Sequence, residues 1–169
     1  LPWTIRSRYP YNATGDFPLS PAANFLEPLV ALSLVAAATE RVRLGTTVLV
    51  LPHRHPVLAA KMLATLDHLA PGRVILGAGV GWMREEIELL GAPYDRRGAW
   101  SDEALRIMRA CWSRERVEWK GDFFSFPPFA AVPRPEAAGY AGRPRHPQLE
   151  YESILANAWI GIAFTRDRR

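Results

Sequence analysis

Hydrophobic and polar positions along residues 25–79 predict two helices that alternate with two buried strands. Phe25 to Thr39 is apolar on nearly every side, which indicates a heavily buried helix. Val42 to Leu51 and Val74 to Gly79 are short runs rich in branched side chains, a pattern typical of buried strands. Between these strands Pro56 opens a second helix, because proline is favoured at the first helical position. The apolar face of this helix comprises Ala59, Met62, Leu63, Leu66 and Leu69, and its polar face comprises Lys61, Thr65 and His68.

The pattern continues with two more helices and a hairpin. Met83 to Leu90 predicts a short helix closed by Gly91, and Ser101 stands at the expected N-cap of a longer helix. Arg116 to Phe126 predicts a hairpin that turns at residues 120–122. The succession of helices and strands predicts an α/β fold with a parallel sheet and right-handed crossovers. The buried stripe of the longer helix comprises Leu105, Met108, Cys111 and Trp112.

Three glycines alternate at the end of the second predicted strand, between Leu76 and Trp82. Gly77, Gly79 and Gly81 remove side chains at a strand-to-helix turn, which lets the backbone approach a flat ligand or a phosphate. Such turns are where α/β folds place their chemistry. The Rossmann dinucleotide fingerprint requires a glycine where Trp82 stands, which argues against that motif. A tight turn without a ligand is the alternative interpretation of the glycines.

Residues 1–23 are irregular and rich in aromatic side chains, which predicts a loop anchored by its rings. A long loop inside a compact domain is usually functional or mobile. The aromatic residues of this loop are Trp3, Tyr9, Tyr11 and Phe17.

Composition narrows the classes of function. The 169 residues carry a net charge of +4 that comes almost wholly from scattered arginines, since Lys61 and Lys120 are the lysines. Without a basic stripe interleaved with aromatic residues, nucleic-acid binding is not expected. No apolar stretch reaches the length of a membrane span, about 20 residues, and the single Cys111 fits a reducing cytosol. We therefore expect a cytoplasmic protein with neither a nucleic-acid nor a membrane partner.

Titratable residues near the predicted strand ends do not form a recognisable catalytic or metal set. His53 and His55 follow a strand, but no cysteine or carboxylate completes a ligand set, and His55 stands at the cap before Pro56. Glu85 and Glu86 are adjacent and point to different helix faces, so we expect them to be solvated or to stabilise the helix dipole. The sequence therefore assigns neither a metal site nor a catalytic residue.

Between about Glu27 and Pro135, segments such as Arg54-His-Pro-Val-Leu-Ala-Ala-Lys and Leu76-Gly-Ala-Gly-Val-Gly-Trp follow one another in a familiar order, and this stretch resembles the luciferase-like flavin- and deazaflavin-dependent oxidoreductases. Each matching segment is weak alone, but their order and spacing over roughly two thirds of the chain form a specific signal. The segments are Leu29-Val-Ala-Leu, Ala37-Ala-Thr-Glu-Arg-Val-Arg-Leu-Gly-Thr, Arg54-His-Pro-Val-Leu-Ala-Ala-Lys, Ala64-Thr-Leu-Asp, Pro71-Gly-Arg, Leu76-Gly-Ala-Gly-Val-Gly-Trp with Glu85-Glu86, Gly121-Asp-Phe-Phe-Ser-Phe and Pro133-Arg-Pro.

The resemblance implies a TIM-type (β/α)8 barrel, here a partial barrel around the third and fourth strands with flanking helices and a hairpin. It implies FMN as the cofactor, or alternatively the deazaflavin coenzyme, at the C-terminal mouth of the barrel. It also implies a non-proline cis peptide bond between Thr47 and Val48, packed behind the flavin ring. The implied cofactor-binding residues are Thr46 and Thr47 through their hydroxyls, Val48 through the cis bond, Gly79, Val80 and Gly81 through their backbone, and Trp82 as a pocket wall.

The function implied by the resemblance is that of a flavin-dependent oxidoreductase of the monooxygenase type, similar to the alkanesulfonate monooxygenases. Such an enzyme acts on paired donors, a small organic substrate and oxygen, with incorporation or reduction of molecular oxygen. A separate flavin reductase is a further candidate partner. Deazaflavin-dependent hydride transfer and a non-catalytic flavin-binding or inactive fragment are the alternatives.

Two departures from the family concern the ends of the chain. A complete barrel takes about 250 residues, so we expect the first strand, the first helix and most of the second strand to be lacking before Leu1. Residues 1–135 are assigned to a partial barrel domain. Residues 136–169 do not match the family, and we expect a tail that is disordered or the product of a frameshift or an incorrect gene model. Open sheet edges and apolar surface in an incomplete barrel also favour a homo-oligomer.

Overall fold

The computed structural model describes residues 8–20 and 23–135 and the backbone of residues 161–165. The helices are α1 (Pro28–Ala38), α2 (Pro56–Leu69), α3 (Arg84–Leu89) and α4 (Arg97–Ser113), with 3-10 turns at Leu51–His53 and Tyr94–Arg96. The strands are β1 (Arg43–Thr47), β2 (Leu49–Val50), β3 (Val74–Ile75), β4 (Ala78–Gly79), β5 (Val117–Lys120), β6 (Ser125–Phe129) and β7 (Gly161–Thr165). Within these ranges no helix is both long and apolar enough to cross a bilayer.

Two parallel strand pairs form the centre of the fold. β1 pairs with β3, with Leu44 opposite Val74, and β2 pairs with β4, with Leu49 opposite Ala78. Each of the two predicted strands is therefore present, but each is divided into two short pieces. The division of the first lies at the Thr47–Val48 peptide bond, which is cis, as the resemblance implied. The crossover from β2 to β3 through α2 confirms the predicted parallel arrangement.

Helix α1 is buried on one side only, so the prediction of a heavily buried helix is wrong. Glu27 caps α1 by accepting a hydrogen bond from the Val30 backbone N–H at 2.9 Å. Leu32 faces the core at 1% exposure, whereas Val30 and Leu34 are 60% and 71% exposed. The reason is tertiary, because α1 packs against α2 and β1 while its opposite side has no cover among the described residues.

Helices α2 and α4 pack against each other and supply about half of the buried core residues. On α2 the predicted apolar face is buried at Ala59, Leu63 and Leu66, but Leu69 at the helix end is 65% exposed. On α4 the predicted stripe is confirmed, with Leu105, Met108 and Cys111 buried and Trp112 partly buried.

Ser101 is not the N-cap of α4, because that helix begins four residues earlier at Arg97. The first turn follows directly on the 3-10 turn at Tyr94–Arg96, and Trp100 within it is buried. Core packing of Trp100 extends the helix beyond the boundary that the local sequence pattern predicted. Ser101 itself is buried inside the helix, and its Oγ has no hydrogen-bond partner in the described part of the chain.

The hairpin of β5 and β6 is antiparallel and is anchored to α4 by one buried carboxylate. Glu103, only 2% exposed, accepts hydrogen bonds from Trp119 Nε1 at 3.0 Å and from the backbone N–H groups of Asp122 at 3.0 Å and Phe124 at 3.1 Å. The predicted hairpin is confirmed, with its second strand extending to Phe129. Glu103 therefore joins the hairpin turn to the helical core.

A further strand pairs with β1 from the far end of the chain. β7 runs antiparallel to β1, with Ala163 opposite Gly45. The sequence did not predict this strand, which lies within the segment expected to form a non-matching tail. The backbone N–H and C=O groups along the outer edge of β1 are thereby paired. The remainder of that tail, residues 136–160 and 166–169, lies outside the described residues.

Candidate functional site

A cavity lies at the carboxyl ends of β2 and β4, where the loop of residues 8–20 and the start of α1 cover the strand ends. Most of its wall is apolar or aromatic, and three ionisable side chains from the 3-10 turn and α3 complete it. The apolar and aromatic residues include Tyr9, Phe17, Phe25, Val48, Val50, Trp82 and Met83, and the ionisable ones are His53, Arg54 and Glu86. Apolar walls with a few polar groups are the usual composition of small-molecule sites.

An aromatic cluster forms one side of the cavity around Trp82. The Trp82 ring centroid lies 5.1 Å from that of Tyr9, 5.5 Å from that of Phe17 and 6.5 Å from that of Tyr11. The contacts to the two tyrosines are edge-to-face, a favourable geometry for aromatic pairs. The prediction that rings anchor this loop is confirmed for these residues, and Trp3 lies outside the described residues.

Two hydrogen bonds from the segment leading into α4 fix the turn that carries Trp82. Arg97 donates a hydrogen bond from Nε to the Gly81 carbonyl at 3.1 Å, and the Tyr94 hydroxyl donates to the Trp82 carbonyl at 3.0 Å. The guanidinium groups of Arg84 and Arg97 lie over the Tyr94 ring, at 4.2 and 4.1 Å from its centroid. Sequence reasoning missed this support, because no local pattern connects these residues.

The neighbouring strand lies where side chains at the alternating glycines would be. A Cβ atom on Gly77 would lie 2.0 Å from the Thr46 carbonyl oxygen, and one on Gly79 would lie 2.4 Å from Val48 Cγ2. Gly81 has φ of +75°, and a Cβ there would lie 2.7 Å from Val50 Cγ1. The space left by the missing side chains therefore admits the adjacent strand β1–β2, and the approach of a ligand to the backbone of Gly79–Gly81 stays a prediction.

The structure divides the seven predicted cofactor residues into two groups. Val48, Gly81 and Trp82 line the cavity. Thr46 is 5% exposed, and its hydroxyl donates to the Gly77 carbonyl at 2.8 Å and accepts from the Gly77 N–H at 3.2 Å. That hydroxyl joins the two strands, so its donor capacity is used. The remaining three predicted residues do not line the cavity, and they are Thr47, Gly79 and Val80.

His53 and Glu86 form a buried pair in the cavity wall that sequence reasoning did not predict. His53 Nε2 lies 3.5 Å from Glu86 Oε2, and the two side chains are 3% and 9% exposed. Glu86 is not solvated as expected, whereas Glu85 beside it is exposed. Met83, Glu86 and Ile87 are all buried, and their i, i+3, i+4 spacing was the available signal that this face of α3 turns inward.

Burial shifts both groups of the pair toward their neutral forms. Desolvation, together with the positive charge of Arg54, lowers the pKa of His53 to about 4. Desolvation raises the pKa of Glu86 to about 7, and the negative charge of Glu85 acts in the same direction. A neutral His53 beside a carboxyl group that titrates near neutrality is an arrangement suited to proton transfer.

The other ionisable groups near the cavity have structural partners. Arg54 forms an ion pair with Glu27, the cap of α1, and its side chain is 11% exposed. His55 accepts a hydrogen bond at Nδ1 from the Val57 N–H at 3.3 Å and so caps α2, as predicted. Among the described residues no group of three histidine, cysteine or acidic side chains could hold a metal ion.

Comparison with known proteins identifies the family. The family model described as luciferase-like monooxygenase matches residues 10–149. This match covers well over half of the chain and extends beyond both ends of the stretch in which the resemblance was seen. The chain therefore belongs to the luciferase-like monooxygenase family, and its paired parallel strands and covering helices are part of that family's TIM-type barrel.

Three curated relatives illustrate the range of the family. An uncharacterised protein of Mycobacterium tuberculosis is 36% identical over 166 residues, which cover 95% of this chain and 58% of the relative. The FMNH2-dependent dimethylsulfone monooxygenase of Pseudomonas fluorescens is 35% identical, over 67% of this chain and 32% of that enzyme. The F420-dependent glucose-6-phosphate dehydrogenase of Kineococcus radiotolerans is 41% identical, over 68% of this chain and 39% of that enzyme. The chain thus spans between about one third and three fifths of these relatives.

Solved structures agree with this assignment. The monooxygenase RslO1 of Streptomyces bottropensis superposes with a TM-score of 0.60 at 34% identity, covering 68% of this chain and 33% of that one. An F420-dependent secondary alcohol dehydrogenase, solved with an F420–acetone adduct, gives a TM-score of 0.61 at 26% identity, covering 68% and 36%. The expected fold class, a partial TIM-type barrel, is confirmed.

Proposed function

We propose that this chain provides part of the flavin site of a flavin-dependent oxidoreductase, with the cavity beside Trp82 receiving a small organic substrate. The observation that carries the proposal is the cavity itself, which is walled by Val48 and Trp82 at the carboxyl ends of two parallel strands. Barrel enzymes place their reacting groups at this end of the strands. In the proposed site, Thr47 and Val48 contact the flavin ring from one strand, and Gly79 to Trp82 contact it from the next.

The residues present fit a flavin ring, which has an apolar and a polar edge. The cis Thr47–Val48 bond and the exposed Thr47 lie together at the end of β1, and we propose that they contact the polar edge of the ring. The aromatic cluster offers apolar surface on the other side of the cavity. In the proposed site the Thr46 hydroxyl does not contact the flavin, since it binds Gly77. Thr46 instead fixes the backbone of the next residue, Thr47, which contacts the ring.

When bound, the cofactor would supply the electron or hydride transfer, and the protein would orient it and exclude water. Trp82 is the wall of the proposed site, and its backbone is fixed by Arg97 and Tyr94. Tyr9 and Phe17 pack against its ring and line the cavity with it. The proposed role of this chain's residues is therefore positioning and shielding, with His53 and Glu86 as the proton-holding groups.

The first candidate reaction uses FMN and oxygen in a monooxygenase similar to the alkanesulfonate enzymes, with a separate reductase to supply reduced flavin. The FMN-dependent dimethylsulfone monooxygenase among the relatives supports this choice. The second candidate is hydride transfer with the deazaflavin coenzyme, supported by the F420-dependent glucose-6-phosphate dehydrogenase and alcohol dehydrogenase. A non-catalytic flavin-binding or inactive fragment is the third, because the chain spans only part of each relative.

A binding titration tests the proposal. The purified chain is titrated with FMN and with the deazaflavin coenzyme, and quenching of cofactor fluorescence is followed. Trp82→Ala is expected to weaken binding of the preferred cofactor by about two- to tenfold, since one stacked aromatic contact is worth about 0.5–1.5 kcal/mol. Leu89→Ala is the matched control, because Leu89 is an exposed apolar residue of α3 that does not line the cavity.

Each outcome of the titration has a defined meaning. Binding of FMN alone favours the monooxygenase type, and binding of the deazaflavin coenzyme alone favours hydride transfer. Binding without any turnover of reduced cofactor favours the non-catalytic alternative. Failure of the folded chain to bind either cofactor would contradict the proposed function.

A further inference from the structure

We propose that His53 and Glu86 share protons across the cavity wall. When the pair loses one proton, Nδ1 of His53 changes from a hydrogen-bond donor to a hydrogen-bond acceptor toward an oxygen atom of the bound ligand. This inference deepens the proposed function, because the bound oxygen would belong to the substrate of the flavin site. His53 would act on the substrate through a hydrogen bond, and Glu86 would act through His53 by positioning its proton.

The geometry of the pair leaves one nitrogen of the imidazole without a protein partner. Nε2 faces the Glu86 carboxyl group at 3.5 Å, and both side chains are more than nine-tenths buried. Nδ1 of His53 is buried and has no hydrogen-bond partner among the described residues. A buried polar atom without a partner is costly, about 1–3 kcal/mol. His53 lines the cavity, and we assign a ligand there as the partner of this atom.

The charges around the pair keep His53 neutral and leave Glu86 to titrate. Arg54 lies next to His53 in the chain and is paired with Glu27 on α1. Glu85 lies next to Glu86 on α3 and is exposed. Arg97 at the start of α4 is directed to the Gly81 carbonyl. The pKa of His53 is lowered to about 4 and that of Glu86 is raised to about 7, so the proton lost near neutrality is that of the carboxyl group.

The proton count distinguishes two states of the pair. In the first state the Glu86 carboxyl group is protonated and donates to Nε2, so the imidazole proton is on Nδ1 and this atom is a donor. In the second state Glu86 is a carboxylate that accepts from Nε2–H, so Nδ1 has a lone pair and is an acceptor. The change releases the Nδ1 proton to a base while the Glu86 proton moves to Nε2. One proton leaves the pair and no electrons are transferred.

The tautomer of His53 can be measured directly, without cofactor or activity. In the full chain labelled with ¹⁵N at histidine, the two ring nitrogens of His53 are followed by long-range ¹H–¹⁵N correlation from about pH 5 to about pH 9. The His53→Gln variant identifies the His53 signals among those of the four histidines. We expect His53 to remain neutral and to change from the Nδ1–H to the Nε2–H tautomer with a midpoint near that of Glu86, about 7.

Two variants separate proton sharing from burial alone. In Glu86→Gln the amide cannot titrate, so the His53 tautomer is expected to stay constant with pH. Glu85→Gln is the matched control, because it removes a neighbouring exposed carboxylate from the same helix and should retain the change of tautomer at a slightly lower pH. A single His53 tautomer throughout the wild-type titration, ordinary protonation of His53, or the same change in Glu86→Gln would each overturn the proposal.

A carbonyl probe tests whether Nδ1 is the atom that contacts the ligand. Cyclohexanone can accept but cannot donate a hydrogen bond, so its binding should favour the Nδ1–H state and raise the midpoint of the tautomer change. At ten times its dissociation constant, the expected increase is about one pH unit if it binds that state alone. An unchanged midpoint at the highest soluble concentration would overturn the assignment of Nδ1 to the ligand. Because no flavin is present, this result is independent of the cofactor titration.

Discussion

At the scale of single residues, the glycines after β3 allow close packing of the neighbouring strand. Three alternating glycines predict that another group approaches the backbone closely, and in the structure the neighbouring strand β1–β2 does so. Gly79 leaves no space for a Cβ because Val48 Cγ2 would be 2.4 Å away. The requirement at this position is therefore strand packing, which brings the Val48 and Trp82 walls of the cavity together.

Gly79→Ala is expected to lower the free energy of unfolding by about 1–3 kcal/mol, the usual effect of overpacking. The added methyl group would contact Val48, so the double variant Gly79→Ala with Val48→Ala should recover part of the loss. Both are measured by urea denaturation. Gly98→Ala in α4 serves as the control, since nothing lies within 4 Å of a Cβ there and alanine favours a helix. Equal destabilisation in the single and double variants would contradict the proposed contact.

The buried Glu86 gives a second prediction at this scale, in the pH dependence of stability. Its pKa is about 7 in the folded state against an ordinary 4.5, so the folded state binds this proton more tightly than the unfolded state. The stability contributed by this group is fully present below about pH 4.5 and is lost as the pH rises through about 7. Relative to wild type, Glu86→Gln should therefore gain about 2 kcal/mol between about pH 5 and about pH 8.

Urea denaturation of both proteins at the two pH values measures this gain. Subtracting the wild type removes the opposite effect of His53, whose lowered pKa makes stability fall as the pH decreases below its ordinary value. Glu85→Gln, at an exposed position, should show a much smaller difference. A Glu86→Gln difference that does not change with pH would mean that this carboxyl group has an ordinary pKa in the folded state.

At the scale of secondary-structure elements, the hairpin depends on a residue that belongs to another element. The sequence predicts the β5–β6 hairpin from its own pattern, and the structure confirms it. Its turn is held by Glu103 of α4, which accepts from several backbone N–H groups and from Trp119. Gly121 is required beside it, because a Cβ would lie 2.1 Å from Glu103 Oε1. The hairpin and α4 are therefore expected to unfold together.

Replacement of Glu103 tests this coupling. Glu103→Ala leaves buried donors without partners, at about 1–3 kcal/mol each where water does not reach them. We expect a loss of at least about 3 kcal/mol in the free energy of unfolding, with a smaller loss in Glu103→Gln, which retains one acceptor oxygen. Asp102→Ala is the control at an adjacent exposed position. If Glu103→Ala and Asp102→Ala have similar stability, the carboxylate does not anchor the turn.

At the scale of the whole molecule, the outer side of α1 carries large apolar side chains that no described residue covers. Val30 and Leu34 lie about one turn apart on α1 and are 60% and 71% exposed, and Leu26, which precedes the helix, is 75% exposed. Exposed large apolar side chains of this kind promote association. The fold is thus a recognisable part of the family barrel with an unusual apolar exterior.

Leu34→Lys is expected to reduce concentration-dependent self-association of the chain, measured by sedimentation velocity. Its free energy of unfolding should change by less than about 0.5 kcal/mol, since the side chain is exposed. Leu89→Lys adds the same charge at another exposed leucine, on α3, and should have less effect. A similar reduction in both variants would indicate a general effect of net charge rather than association through α1.

The sequence alone determined the order of helices and strands from α1 to the β5–β6 hairpin, and the resemblance that it carries indicated the family and the position of the cis bond. Helical periodicity, apolar runs and motif spacing are local signals, and each of them can be read from neighbouring positions in the chain. The predicted helix boundaries were less accurate where core packing extends a helix. Ser101 lies inside α4 because Trp100, in the first turn of that helix, is buried in the core.

The tertiary structure decided which of these residues meet. His53 and Glu86 lie far apart in the sequence and on different elements, and only the packing of α3 against the 3-10 turn brings them to 3.5 Å. The same packing removes them from water and so sets their proton affinities. The pairing of β7 with β1 and the position of the glycines against Val48 are likewise non-local contacts. Local pattern therefore specified the elements, and the contacts between elements specified the chemistry of the cavity.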